Sequence, residues 1–382
     1  MSERALFEVF PALSERVSLC PLGDFPTPVE TAPELEAVAG ARPGSLYLKR
    51  DDLSSKVFGG NKVRTLEVFF GAARRASATH VFSTGAFGSN HAVATVLHAP
   101  QAGLSSGAIL YPQPPSFEAL VNARATAALA SRFVALPHWS TFPFGVAFAA
   151  WNERRRGHRP FVMPPGGATP LGALGYVNGA LELARQIERG TLPHPVRVVV
   201  PGGSGCTTAG LLAGFALAAR LGIGFSESKG RRAPEILSVR VTPWPVTSPY
   251  RLAHLAERTS RWVATLARDE SLAEDHRSLA RRLRVDGRFL GRGYGYATPD
   301  GEEAIATFRH AGGPTLETTY SAKAAAGLLR SLRESDDGPV VFWTTCSAVP
   351  APARALPADT PRALVRWVDR TARALGEGAA QP

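Results

Sequence analysis

Only five of the 43 basic residues in this 382-residue sequence are lysines: Lys49, Lys56, Lys62, Lys229 and Lys323. A reaction that needs a primary amine therefore has few candidates. Lys62 follows Phe58-Gly59-Gly60-Asn61 and precedes a stretch whose apolar positions include Val63, Leu66, Phe69, Phe70 and Ala73. Two glycines let the backbone come close to a ligand, and the start of a helix disfavours an ammonium ion. An imine-forming or nucleophilic lysine needs that setting, although a glycine turn before an exposed lysine has the same spacing. A second candidate is Val198-Val199-Val200 followed by Pro201-Gly202-Gly203-Ser204-Gly205-Cys206-Thr207-Thr208-Ala209-Gly210. A strand, a small-residue loop and a helix together hold a phosphate through free backbone N–H groups and the helix dipole. Neither the Walker ending nor the Rossmann glycine spacing is present, and such turns also serve plain packing. The third candidate, Ser83-Thr84-Gly85-Ala86-Phe87-Gly88-Ser89-Asn90-His91-Ala92, also joins a strand pattern to a helix pattern. There Ser89 is either a helix cap or a functional hydroxyl, and His91 either a structural or a catalytic imidazole.

These candidates need elements to position them. Short apolar runs read as strands over Ser45–Leu48, Val81–Ser83, Gly107–Leu110, Phe133–Leu136, Val196–Val200, Ile236–Val241 and Val340–Trp343. Helical patterns follow over Lys62–Arg75, Asn90–Ala99, Phe117–Ala130, Gly172–Arg189, Thr207–Arg220, Arg251–Ala267, Glu302–His310 and Ser321–Arg333. A last amphipathic stretch, Pro361–Ala374, is expected to pack back on the body, and Phe225–Pro234 reads as an exposed loop. Strands alternating with longer helices predict an α/β fold with a largely parallel sheet, helices covering both faces.

Composition narrows the class. Hydrophobic residues make up 45% and charged residues 20%, as in ordinary globular proteins. No apolar run approaches the ~18 residues of a membrane span. Glu3, Glu8 and Glu15 occupy the stretch where a signal peptide carries its apolar core. The three cysteines, Cys20, Cys206 and Cys346, are too scattered for a disulfide framework or a zinc cluster. No metal and no membrane are expected, and the expected location is the cytoplasm. The net charge of +11 raises nucleic acid as a partner. The basic residues are spread along the chain without a nucleic-acid-binding signature, so an arginine-biased solvated surface is the reading and no nucleic acid is expected.

Taken together, the lysine after Gly-Gly-Asn, the Ser-Asn helix start and the mid-chain phosphate loop form one constellation. With it the chain resembles the 1-aminocyclopropane-1-carboxylate (ACC) deaminase and D-cysteine desulfhydrase family of pyridoxal-phosphate enzymes, which have the tryptophan synthase β-like fold (fold type II). The resemblance runs from FPTPVE and LYLKRDDLSS near Thr27 to about Ser347. It includes GGATPLGALGYVNGALELA at Gly166–Ala184, GYGYATPDGEEAI at Gly293–Ile305 and LETTYSAKAAAGLL at Leu316–Leu329.

The resemblance implies two open twisted α/β domains with the cofactor in the cleft between them. A smaller domain over 57–165 would be inserted into a larger one made of 1–56 and 166–382, the latter ending in the C-terminal helix. Lys62 would carry pyridoxal 5'-phosphate as an imine, Asn90 would hydrogen-bond its phenolic oxygen, and Gly203, Ser204, Gly205, Cys206 and Thr207 would cradle its phosphate. Ser89, Tyr294 and Tyr320 would face the substrate, and Ser321 and Thr345 would lie near the pyridine nitrogen. The implied activity is β-elimination from a small amino acid, D-cysteine by analogy, by a homodimer. ACC deamination is the same-family alternative; a non-catalytic cofactor binder or a nucleic-acid-contacting protein is the alternative of another class. Hydroxyls at Ser321 and Thr345 match the desulfhydrases, where deaminases carry Glu and Leu. Cys346 and Ser347 stand where the family commonly has glycines, and so are expected to intrude on the pocket.

Overall fold

The computed structural model describes residues 4–226, 230–334 and 338–376, so Lys229 and part of the loop expected at Phe225–Pro234 lie outside the described residues. The chain opens with α1 (Ala5–Val9), β1 (Val29–Thr31), α2 (Pro33–Ala39), β2 (Leu46–Lys49) and α3 (Lys62–Arg75). Next come β3 (His80–Ala86), α4 (Asn90–His98), β4 (Ser105–Tyr111), α5 (Phe117–Leu129), β5 (Arg132–Ala135), α6 (Phe142–Arg155) and β6 (Pro160–Val162). The chain continues through α7 (Pro170–Glu188), β7 (Arg197–Gly202), α8 (Cys206–Arg220), β8 (Glu235–Arg240), α9 (Pro249–Ala267), α10 (His276–Arg281) and β9 (Leu283–Asp286). It ends with α11 (Pro299–His310), α12 (Ser321–Glu334), β10 (Val340–Trp343) and α13 (Arg362–Ala374).

Two sheets organise these elements. One has six strands in the order β1-β2-β10-β7-β8-β9, and the other four in the order β5-β4-β3-β6. Every pairing is parallel except β1 with β2. Parallel strands are covered on both faces, and their sequences show it: Val198–Val200 and Val340–Trp343 are buried throughout. On one face of the six-stranded sheet, α7, α8 and α9 share a core that includes Leu181, Phe215 and Val263. On the other, α2, α11 and α12 pack through Leu35, Phe308 and Leu328.

Capping fixes where the site-bearing helices begin. The Ser89 hydroxyl accepts from the N–H groups of His91 and Ala92 at the start of α4, and Thr169 accepts from Gly172 at the start of α7. Every strand and helix expected from the apolar patterns is present, within a few residues at the ends. Strands β1, β6 and β9 and helices α1, α2, α6 and α10 were not legible as patterns, because most of them are too short or too polar to show a period.

The C-terminal helix departs from expectation. The sequence grouped α13 with the larger domain. Its apolar face, Leu364, Trp367 and Val368, instead packs with Phe87, Ala92, Leu120 and Ala123 beside the four-stranded sheet. The Trp367 Nε1 donates to the Gln113 carbonyl at 2.7 Å, which ties the helix there. Among the described residues, no helix is long and apolar enough to cross a membrane.

Candidate active site

The ends of β3 and β7 and the starts of α3, α4 and α8 converge on one cavity of about 360 Å³. Lys62, Ser89, Asn90, Gly203, Ser204, Gly205, Cys206, Thr207, Tyr294, Tyr320 and Thr345 all line it. Eleven of the twelve residues singled out in the sequence thus meet in space. Ser321 does not line it.

Lys62 is the first residue of α3. Two residues further on, about 200° around the helix, Arg64 faces the other way. Its guanidinium is 1% exposed and fully paired with Asp51, Glu182 and Thr27. That network clamps the first turn of α3 and leaves Lys62 facing the cavity. Among the described residues the Lys62 amine has no carboxylate partner, and its desolvation pushes its pKa down. The turn before it depends on glycine: Gly60 has φ +87, and a Cβ there would meet the Thr345 carbonyl oxygen at 2.5 Å.

The opposite wall belongs to α4. Asn90 Oδ1 accepts from Asn122 Nδ2 at 2.8 Å, so the Asn90 amide keeps its own N–H donors for the cavity. Ser89 Oγ already accepts two backbone N–H groups, which leaves its hydroxyl proton to donate. His91 is 1% exposed, lines the same cavity, and neither ring nitrogen has a hydrogen-bond partner. Burial, reinforced by the nearby Lys62, lowers its pKa to about 3, so the imidazole is neutral.

The loop between β7 and α8 supplies an anion site at the N-terminus of a 15-residue helix. Its side chains are otherwise engaged. Ser204 Oγ donates to the Gly166 carbonyl at 3.2 Å, and Cys206 Sγ donates to the Gly167 carbonyl at 3.1 Å. Burial raises the Cys206 thiol to about 11, so it stays protonated. The loop therefore offers its backbone N–H groups and the hydroxyl of Thr207, which accepts from Asn61 Nδ2 at 3.2 Å. Gly205 has φ +90, and a Cβ there would lie 2.4 Å from Leu252 Cδ2, so its glycine serves backbone shape and packing rather than open phosphate space.

The far wall carries an aromatic pair. Tyr294 and Tyr320 share a hydrogen bond of 2.5 Å between their hydroxyls, with rings 5.7 Å apart and edge to face. Burial raises both phenols, so they are protonated at neutral pH.

Three expectations need correction. Ser321 is 1% exposed and does not line the cavity; its Oγ accepts from the Glu317 N–H at 2.7 Å and also contacts the Cys346 thiol. Cys346 and Ser347 do not line the cavity. Ser347 Oγ accepts from the Gly59 and Val349 N–H groups and donates to the Val349 carbonyl, so the side chain turns into the loop. Sequence reasoning also missed Glu317, Thr84, Tyr111 and Arg251 in the lining. Glu317 lies inside the LETTYSAK motif, four residues before Ser321, and only the helix start reveals which of the two faces inward.

The residues present fit pyridoxal phosphate: an unpaired amine, a glycine loop at a long helix's N-terminus, a free amide donor and an orphaned buried imidazole surround one cavity. Comparison with known proteins agrees. The pattern of the family described as "Pyridoxal-phosphate dependent enzyme" matches residues 21–345. The chain is 33% identical over 335 residues to nocardicin C-9' epimerase of Nocardia uniformis subsp. tsuyamanensis, covering 84% of this chain and 92% of that protein. It is 30% identical over 335 residues to D-cysteine desulfhydrase of Salmonella newport, covering 85% and 92%. A crystal structure of an ACC deaminase homologue superposes with a TM-score of 0.72 at 26% identity, covering 91% of this chain and 96% of that one. The chain belongs to the pyridoxal-phosphate-dependent enzymes of fold type II, in the branch that includes the D-cysteine desulfhydrases and ACC deaminases.

Proposed function

We propose that the protein is a pyridoxal-phosphate lyase that eliminates the thiol of a small amino acid, D-cysteine or a close analogue, giving pyruvate, ammonia and sulfide. The observation that carries this reading is the desolvated, unpaired amine of Lys62, facing a cavity that also holds a pair of protonated phenols. The cofactor, when bound, supplies an electron sink for negative charge at the substrate Cα. Lys62 Nζ anchors it and, once released, takes the Cα proton, which its lowered pKa favours. The Asn90 amide donates toward the phenolic oxygen. The backbone of Gly203–Thr207 and the N-terminus of α8 hold the phosphate. Ser89 Oγ, with its proton free, donates to the substrate carboxylate, and Arg251 at the rim adds a positive charge. The Tyr294–Tyr320 hydroxyl pair delivers a proton to the departing sulfur. D-cysteine and water then leave as pyruvate, ammonia and hydrogen sulfide. The reading includes a homodimer working in the cytoplasm.

A second reading is Cα epimerisation, favoured by the 33% identity to an epimerase. Both reactions begin with removal of the Cα proton, and they part on whether Cβ carries a leaving group. Pyruvate and sulfide release from D- and L-cysteine, 2-oxobutanoate release from ACC, and solvent-deuterium exchange at Cα test both. Sulfide from D-cysteine with little 2-oxobutanoate is the expected result. ACC turnover without sulfide overturns it in favour of deamination, and deuterium exchange with inversion but no sulfide overturns it in favour of epimerisation.

A further inference from the structure

Away from the cavity lining, three metal-ligating side chains from two helices meet on the surface of α9 and α10. His254 and Glu257 stand one turn apart on α9, so their side chains share a face. His276 comes from α10, whose Leu279 is buried in the same core as Val263 of α9. A ring nitrogen of each histidine and a Glu257 carboxylate oxygen all lie within 4.8 Å of one another.

The spacing is not that of a hydrogen-bonded pair. His254 Nδ1 and Glu257 Oε2 are 3.4 Å apart, longer than an ordinary N–H···O bond. That distance is the edge of a tetrahedron whose corners lie about 2.1 Å from its centre, the length of zinc bonds to imidazole and carboxylate. The widest separation exceeds this edge by no more than about 1.4 Å, which rotation of the half-exposed His254 ring can close.

The surroundings hold these donors without using them up. Arg261 Nη2 donates to Glu257 Oε1 at 2.7 Å, which leaves Oε2 facing His254. The Tyr250 ring lies nearly parallel to His254 at 5.9 Å and against His276 at 4.9 Å, so it braces both imidazoles. Among the described residues, the His276 ring has no hydrogen-bond partner. A second cluster, His80, Glu153 and His158, is as close together but differs in kind. There Glu153 Oε1 accepts from Arg132 and Arg156, and Oε2 pairs with His158 Nδ1 at 2.7 Å. His80 Nδ1 pairs with Thr79 Oγ1 at 3.0 Å, and the two imidazoles stack at 4.1 Å. The protein itself satisfies that cluster.

We propose that His254, Glu257 and His276 form a zinc site that ties α9 to α10. Two imidazole nitrogens and one carboxylate oxygen suit zinc, whereas magnesium and calcium take oxygen ligands. Three protein ligands leave the fourth tetrahedral position to water. Cysteine spacing could not reveal the site, because no thiol takes part. Filling it steadies the first turns of α9, whose Leu252 packs against Gly205 of the loop between β7 and α8.

The proposal depends neither on the substrate nor on the cofactor's contacts. The test is calorimetric titration of the metal-free holoenzyme with zinc in a non-coordinating buffer, with thermal unfolding in parallel. One zinc per chain is expected, with a rise in the unfolding midpoint that a chelator reverses. His276→Ala and Glu257→Gln are each expected to weaken binding by at least about tenfold and to abolish the rise, with circular dichroism unchanged. Cobalt in place of zinc is expected to give the strong visible bands of a tetrahedral ion, and His276→Ala to lose them. His158→Ala is expected to leave zinc and cobalt binding in place. No binding up to about 100 μM zinc, a cobalt spectrum without those bands, wild-type affinity in His276→Ala and Glu257→Gln, or loss of binding in His158→Ala overturns the proposal.

Discussion

Two charged regions lie back to back across the first turn of α3, and they are built in opposite ways. Behind the helix, all three nitrogens of the Arg64 guanidinium donate, making five hydrogen bonds to Asp51, Glu182 and Thr27. Lys49 Nζ donates to Glu182, to Gln186 and to the Thr27 carbonyl, while Tyr176 and Trp343 donate to Asp51. Two cations face two anions there, and every polar atom is matched. In front of the helix, among the described residues, the Lys62 amine has no carboxylate partner, both His91 nitrogens are orphaned and Glu317 keeps one acceptor site. Buried charge costs several kcal/mol per ion unless it is paired. The saturated region therefore holds shape, and the unsaturated region is left open for chemistry.

The largest expected effect falls on the open side. Lys62→Ala should lower turnover by at least about a thousandfold, while urea unfolding changes by less than about 1 kcal/mol. No other side chain on α3 offers a free amine, and an arginine stays protonated. Normal elimination by the mutant, or a large loss of stability, would erase the distinction between the two regions.

The next effect falls on the closed side. Arg64→Ala leaves Asp51 and Glu182 without their shared cation in a site from which water is excluded. Breaking a buried ion cluster on one side costs about 3–5 kcal/mol, so the unfolding midpoint should drop sharply. Lys62 would also lose its fixed orientation, so cofactor affinity should fall as well. A melting temperature within a degree or two of the wild type would sink the idea that this network sets the helix.

The smallest effect sharpens the comparison through pH. Glu182 is held at about 2, burial opposing and Arg64 and Lys49 outweighing it. Its folded pKa lies below the usual 4.5, so its contribution is present above pH 4.5 and is lost as pH falls toward 2. Glu317 is raised to about 7, so its contribution is present below pH 4.5 and is lost as pH rises toward 7. His91, held neutral with a pKa of about 3, adds stability as pH rises toward 6.5 and offsets the Glu317 loss in the cofactor-free protein. The Glu317 effect is therefore read as a difference: relative to wild type, Glu317→Gln should gain stability as pH rises from 4.5 to about 7, by up to about 3 kcal/mol, while the rise below pH 4.5 persists in both. Urea titrations of the two proteins decide it, and a stability difference that stays constant over this range would show that Glu317 does not titrate there.

Much of the site was legible in the sequence because it is encoded locally. Gly59-Gly60-Asn61-Lys62 is a turn and a helix start within a few residues, and Ser89-Asn90 is a cap followed by the residue it exposes. Gly203–Thr207 is a strand end and a helix N-terminus. Each follows from backbone preferences and capping over less than two turns of chain. The parallel α/β fold was legible for the same reason, since Val198–Val200 and Val340–Trp343 are apolar on both faces and only a covered sheet suits them.

What the sequence could not determine is who meets whom across long separations. Arg64 finds Glu182 118 positions away, and Trp343 reaches Asp51 across 292. Helix α13 has an apolar face in any reading, but only packing put Leu364 and Trp367 beside the four-stranded sheet. Ser321 and Glu317 show the limit within a single turn. The family resemblance pointed to the serine, whereas in the folded chain the glutamate lines the cavity and the serine hydroxyl lies at the helix start. Local preferences act between neighbours and can be read from residue order. Pairing of buried charge depends on which surfaces the folded chain brings together, and that is decided only in three dimensions.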